Sequence, residues 1–428
     1  INSAIVIIRD KRGMMKGPIV IVDVLSTGNE LAAAFMARGC DVIHIWQDFT
    51  RKTRTQGFIE TINYAGVLED LVKRLKPYNI RHIIAGADSG IALADMLASA
   101  MGMESANDSE TTDWRRNKYI SHQKLAENNI RSIKQSKSSS VLELIEWAEQ
   151  QGYPVIVKPL NSGASDGVTL CENKEEVQHA AEKLLGKENL LGYVNDEVLI
   201  QELIEGTQYF VNTLSWNGQH YVTDIWEQVR SRVSGGAYNF EGMHLIDAQE
   251  KHAKSLADYT LEVLSALGIA YGAAHNEVIL TEDGPVLIEA NARLMGASIN
   301  DTTFNACLGY TQVSLCADMY LMPQKFIKQY VGKLYQMKSY VSEISFLFKR
   351  DGILVAMPRR NEIEQLNSFS NFFSLPEFKQ WVKKTADTKG LPGFAYLLHK
   401  DKHQVERDFN QILNWQQQDM IYQIVDSQ

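Results

Sequence analysis

The sequence predicts a chain of mixed α/β class, an α+β arrangement with a parallel sheet first and antiparallel strands later. Three observations lead there. Over the first ~110 residues short apolar runs alternate with helical patterns, the rhythm of βαβ units. A lysine-ended strand then runs into a glycine-containing loop. Much later, Pro285–Leu294 reads PVLIEANARL, a strand with polar side chains at every second position. At 428 residues the chain exceeds a single core and implies about two to four domains.

In order, Pro18–Val24 reads as a buried strand, Gly28–Arg38 as a helix and Asp41–Trp46 as a strand. Tyr64–Leu75 reads as a helix, His82–Ala85 as a strand and Gly90–Ala98 as a helix. The turn Ser26-Thr27-Gly28 is not GxGxxG and reads as a plain helix start. Helix Val141–Gln150 opens with Ser140 and Glu143 spaced as a capping box, and Gly152 with Pro154 closes it. Strands Val155–Lys158, Val168–Cys171 and Glu197–Glu202 follow, with helix Lys174–Leu185 between the last two. From Thr207 the pattern turns antiparallel: Tyr209–Ser215, Gln219–Glu227, and the pair Ala274–Leu280 and Val286–Arg293 after helix Ala248–Leu267. The tail carries a hairpin around Asp351-Gly352, strand Phe394–His399 and helix Lys402–Trp415.

Composition narrows the function classes. A net charge of −9 gives no electrostatic footprint for nucleic acid. No apolar run approaches a membrane span, and the amino terminus lacks a signal-peptide pattern, so a cytoplasmic protein is expected. Cys40, Cys171, Cys307 and Cys316 have neither CxxC nor zinc-ligand spacing.

Strand alternation puts Leu287, Glu289, Asn291 and Arg293 on one face, and Ile288, Ala290, Ala292 and Leu294 on the other. A two-residue Asp-Gly loop would set Glu277 across from Ala290. A three-residue loop, Glu282-Asp283-Gly284, would set it across from Glu289. Only the second gathers Glu277, Glu289, Asn291 and Arg293. Opposed carboxylates destabilise a sheet unless a cation joins them, and two carboxylates with an amide are hard oxygen ligands suited to magnesium on substrate phosphates. Arg293 suits a phosphate or carboxylate. Lys158, ending an apolar strand, reads as an edge charge or a phosphate ligand. The loop Asn161–Gly167 can turn backbone N–H groups toward an anion.

Lys118, Lys158 with its glycine loop, the stretch Ile200–Gly206, then Glu277 and Glu289-x-Asn291-x-Arg293 follow one another in an order that resembles the ATP-grasp enzymes over most of the chain. The resemblance implies a Rossmann-like domain over 1–115, a lid over 116–204, a catalytic antiparallel-sheet domain over 205–335 and a subdomain over 336–428. It implies Lys118 and Lys158 on ATP phosphates, aided by Ser162, Gly163 and Ser165. Gln201 would face the adenine, and the backbones of Glu202 and Ile204 would read its edge. Gln208 stands where many members have a ribose-binding glutamate. Glu277, Glu289 and Asn291 would hold two magnesium ions, with manganese as the alternative, and Arg293 would act on the acyl phosphate. Within the family, Ala274–Glu277 and Leu294–Ser298 look most like L-amino-acid ligases, which form dipeptides and in several cases serve antibiotic biosynthesis. Small amino-acid substrates would then lie near Arg293, Gly296 and Ser298, with Arg230 or Arg232 as a carboxylate contact or a solvated loop. His275 would support Glu277 or be a satisfied structural histidine. A homodimer is the family-level expectation. A biotin-carboxylase-type enzyme, a purine-pathway ligase and a non-catalytic ATP-binding regulatory module are the rival readings.

Overall fold

The computed structural model describes residues 17–47, 53–162, 166–190, 192–232, 238–296, 301–385 and 390–426. Four strands open the chain: β1 (Ile19–Val22), β2 (Val42–Trp46), β3 (Glu60–Asn63) and β4 (His82–Ala85). They form a parallel sheet in the order β3-β2-β1-β4. Every residue of β1 is fully buried, as expected of a central parallel strand covered on both faces. The expected helix Tyr64–Leu75 is shorter, starting at Leu68, because the Tyr64 N–H is taken by Trp46 O (2.8 Å) at the end of β3 and Gly66 turns through a φ of 88°.

The turn after β1 and the loop after β4 touch backbone to backbone. A Cβ on Gly28 would lie 2.4 Å from the Gly86 carbonyl oxygen, so glycine is required for that approach. Those loops stand at the carboxyl ends of parallel strands, where α/β sheets bind ligands.

A second sheet holds β5 (Gln135–Ser138), β6 (Val155–Lys158), β7 (Thr169–Cys171) and β8 (Val198–Glu202), ordered β5-β8-β6-β7 with antiparallel pairs. Helices Val141–Gln151 and Lys174–Leu184 bury Leu144, Ala148, Val177 and Ala181 against Val155, Val157, Val198 and Ile200. The capping box expected of Ser140 does not form. Ser138, held at the end of β5, accepts from the Ser140 N–H (2.8 Å) and donates to Glu143 Oε2 (2.5 Å), satisfying both groups instead.

The largest sheet is antiparallel. It contains β9 (Thr207–Trp216), β10 (Gln219–Arg232), β11 (Tyr238–Leu245), β12 (Gly272–Thr281), β13 (Gly284–Asn291) and β14 (Tyr340–Ser345). After β15 (Gly352–Ala356), strands β16 (Phe369–Phe373), β17 (Trp381–Val382), β18 (Phe394–His399) and β19 (Gln423–Val425) complete the set. The order is β13-β12-β9-β10-β11-β14-β18-β16, while β15 joins β17 and β19 in a separate sheet. The expected hairpin around Asp351-Gly352 is therefore absent. The buried residues of β14 pair with β11 and β18, and β15 lies close against β19, where a Cβ on Gly352 would meet Val425 O at 2.5 Å. One apolar core runs from Ile21, Leu31 and Phe35 to Val211, Trp226, Val278 and Ala290, so the acidic strand is built on packed ground. Among the described residues no helix is long and apolar enough to cross a membrane.

Candidate active site

Glu277 pairs directly with Glu289, and His275 with Asn291, across β12 and β13. The turn that achieves this differs from the expected three-residue loop. Thr281 pairs with Gly284, leaving only Glu282-Asp283 between them, and a register shift at Ile288 then restores the Glu277–Glu289 pair. A bulge adds one unpaired residue to a strand and resets its alternation. Leu287 accordingly lies in the main core with Ala290, not on the polar face expected for it. Ile288 joins Ile133, Ile204, Ile279 and Val286 in a small apolar cluster. Arg131 holds the turn by donating to Thr281 Oγ1 (2.7 Å) and Gly284 O (2.5 Å).

Burial, and then the neighbouring Glu289 carboxylate, push the Glu277 carboxyl up to about 7, against the opposing pull of Arg293, Lys118 and Arg230. Gln208 donates to Glu277 Oε2 (2.7 Å) and accepts from Arg230 Nη1, so its amide is engaged at both ends. His275 meets Asn212 Oδ1 through Nδ1 (2.8 Å), while its Nε2 stands 3.9 Å from Glu277 Oε1. Burial keeps that imidazole neutral, lowering it to about 3. Behind it, fully buried Asp224 accepts from Asn212 Nδ2 (2.5 Å), Thr223 Oγ1 (2.7 Å) and Trp226 Nε1 (2.6 Å). Sequence reasoning missed this chain of contacts, although Asn212 and Asp224 are polar residues inside otherwise apolar strands.

The donor set fits a hard divalent cation. Two carboxylates share one face with an amide, and one carboxyl is destabilised as an anion in a way that a cation would reverse. Among the described residues no group of three or more His, Cys, Asp and Glu side chains is arranged to hold a metal.

Lys118 begins the helix Lys118–Glu127, capped by Asn117, whose Oδ1 accepts from the Tyr119 and Ile120 N–H groups. Its ammonium donates to Ser162 O (2.5 Å) and stands 3.3 Å from Glu289 Oε2. Lys158 is buried at the end of β6. Burial and the Lys118 charge lower it to about 8, offset in part by Glu289 and Glu277. Lys118, Asn161, Ser162, Glu289 and Asn291 line a single pocket together with Asp88 and Arg116. Ser162 Oγ donates to Asp166 (2.7 Å). Gly163 and Ser165 lie outside the described residues, as do Ser298 and the Arg232 side chain.

In the hinge, Gln201 is buried and donates to Gln135 Oε1 (2.9 Å). Glu202 exchanges two bonds with Lys134, its N–H to the Lys134 carbonyl (3.1 Å) and its Oε1 from the Lys134 N–H (2.8 Å). Ile204 belongs to the cluster that contains Ile288.

Arg293 stands past the end of β13, where its N–H turns back to Asn291 O (2.7 Å). Its guanidinium grips Asp88 by Nε (2.9 Å) and Nη2 (2.7 Å), and donates from Nη1 to Leu294 O (2.8 Å). Ser26 Oγ donates to Gly296 O (2.5 Å) and Thr27 Oγ1 to Met295 O (2.6 Å). The turn read as a plain helix start therefore also holds the segment beyond Arg293. Asp88 went unnoticed in the sequence, although an acidic residue bracketed by Gly86 and Gly90 just after a parallel strand was the available signal.

A family model described as an ATP-grasp domain matches residues 151–301. Dapdiamide A synthase of Enterobacter agglomerans is 33% identical over 326 residues, covering 73% of this chain and 76% of that protein. Phosphoribosylamine–glycine ligase of Pyrococcus horikoshii is 26% identical over 196 residues, 41% of this chain and 43% of its own. Among solved structures, L-amino acid ligase from Bacillus licheniformis superposes with a TM-score of 0.77 at 16% identity, covering 96% of this chain and 99% of that one. At that identity the superposition speaks for the fold alone.

Proposed function

Because this chain belongs to the ATP-grasp family and is an ADP-forming carboxylate–amine ligase, we propose that it joins two amino acids, or an acyl-amino acid and an amino acid, into a dipeptide-type amide through an acyl phosphate. The observation that carries this reading is the convergence of Lys118, Glu289 and Asn291 on one cleft, with Glu277 paired to Glu289 across the strands and Arg293 just past the strand end. The similarity to dapdiamide A synthase favours amino-acid substrates over the carboxylase and purine-pathway alternatives, and a small peptide antibiotic as the product class.

In this reading Lys118 and Lys158 bind the ATP phosphates, and the Ile204–Ile288 cluster supplies an apolar bed beside the hinge for the base. Glu277, Glu289 and Asn291 would hold two magnesium ions, which supply charge neutralisation on the phosphates. A substrate carboxylate oxygen attacks the γ-phosphorus, and the bond to the ADP oxygen breaks. The second substrate's amine then attacks the acyl carbon, the carbon–oxygen bond to phosphate breaks, and the amine gives up a proton. Arg293 meets the carboxyl oxygens and the oxyanion formed between these steps. The lid carrying Asn161 and Ser162 keeps water from the acyl phosphate.

A phosphate-release screen with ATP, magnesium and pairs of amino acids, acylated diaminopropionate included, tests the proposal. Release that needs both members of a pair is expected. Release that needs bicarbonate instead would move the chain to the carboxylase reading, and ATP binding without any turnover would favour the regulatory module.

A further inference from the structure

We propose that Asp88 is a positioning residue, through which the amino-terminal sheet orients the Arg293 guanidinium for the carboxyl group under reaction. The inference rests on the ligase reading above. A guanidinium carries five N–H donors. Asp88 takes one from Nε and one from Nη2, and Leu294 O takes one from Nη1, which leaves one on each terminal nitrogen for a reactant. Arg293 needs such a hold. It lies beyond the last ladder residue of β13, and an unheld arginine samples many rotamers.

The loop bearing Asp88 is itself braced. Gln47 Nε2 donates to Ser89 O (2.9 Å) and to Asp23 Oδ2 (2.8 Å). Ser26 and Thr27, from the adjoining turn, grip the carbonyls of Gly296 and Met295. Two loops of the parallel sheet thus fix the exit of the catalytic strand on both sides of the guanidinium.

Asp88 is ionised: burial alone would raise its carboxyl, but the Arg293 charge and hydrogen bonds hold it below the usual range. An anion beside Arg293 weakens the attraction of that guanidinium for a substrate carboxylate. What Asp88 contributes is therefore orientation and not affinity, and the two separate in kinetics.

The test compares Asp88→Asn and Asp88→Glu with the wild type, using ATP, magnesium and the amino-acid pair on which the wild type turns over. Asp88→Asn is expected to lower kcat roughly 10- to 100-fold, the scale of a small misplacement of a catalytic group. KM for the acid substrate should stay level or fall, and KM for ATP should not move. Asp88→Glu should recover part of kcat. Wild-type kcat in Asp88→Asn overturns the assignment. So does a loss of kcat matched by an equal loss in the fraction of protein that binds ATP, since that is the mark of a merely structural role. A wild type that releases phosphate with no amino-acid pair overturns the dipeptide reading itself, and this inference with it.

Discussion

Glu277 and Glu289 are cross-strand partners on one face of the largest sheet, and the bulge at Ile288 is what makes them so. Two carboxylates in that arrangement repel one another and favour a divalent cation. Glu277→Gln and Glu289→Gln are each expected to abolish amino-acid-dependent phosphate release. Glu277→Gln should not lower the melting temperature of the metal-free protein, because it removes a like-charge conflict, whereas Glu289→Gln also gives up the ion pair with Lys118. A melting temperature that drops in Glu277→Gln would mean that this carboxylate serves the fold.

The same conflict sets a pH dependence. The Glu277 carboxyl is raised from 4.5 to about 7, so between those values the folded chain holds a proton that the unfolded chain has released. The contribution of this group to stability is thus largest below about pH 4.5 and falls as pH rises through about 7. A cation must displace that proton, so magnesium affinity should weaken as pH falls below about 7. Calorimetric titration of magnesium into the nucleotide-free protein, in buffers of different ionisation enthalpy, should register proton release near neutrality, and Glu277→Gln should remove it.

Arg293 offers a planar fork already half occupied by Asp88. Lysine keeps the charge but cannot hold Asp88 by two parallel bonds while still presenting donors to a reactant. Arg293→Lys is therefore expected to behave much like Arg293→Ala in turnover. Both should bind ATP with near wild-type affinity, as measured by equilibrium titration. Recovery of activity by lysine would reduce the role of Arg293 to simple charge.

The acidic hairpin was legible because side chains alternate with a period of two and because Glu277 and Glu289 had only one register that made chemical sense together. Its turn was not, since a tight Glu282-Asp283 turn followed by a bulge reaches the same pairing as a longer loop. Local pattern cannot separate the two. Strand β11, the partner of β10, was missed because only half its residues are apolar and its other neighbour in the sheet, β14, lies about a hundred residues further along the chain. Asp88 and Asn212 escaped for the same reason. Each gains its meaning from a residue many positions away, Arg293 and His275, and single-sequence spacing carries no such information. Lys158 was legible as a charge ending an apolar strand, whereas Lys118 came from a resemblance in motif order, which survives long intervening loops.

The last prediction concerns the support behind the metal ligands. Three donors converge on Asp224, and Asn212 is one of them, turning its Nδ2 toward that carboxyl and its Oδ1 toward His275. That orientation puts the imidazole proton on Nδ1 and leaves the Nε2 lone pair facing Glu277 Oε1, 3.9 Å away. Asp224→Asn replaces an acceptor with a group that must donate on one side. It then confronts Trp226 Nε1, Thr223 Oγ1 or the Asn212 amide with a second donor. Leaving one such buried donor unmatched costs about 1–3 kcal/mol. Chemical denaturation should register that loss. If Asn212 rotates to relieve it, the imidazole proton moves to Nε2 and points at Glu277, and magnesium affinity should change along with stability. Nitrogen-15 shifts of the His275 ring, which separate the two tautomers, provide the check: an unchanged tautomer in Asp224→Asn would show that Asn212 holds its orientation without the buried carboxylate.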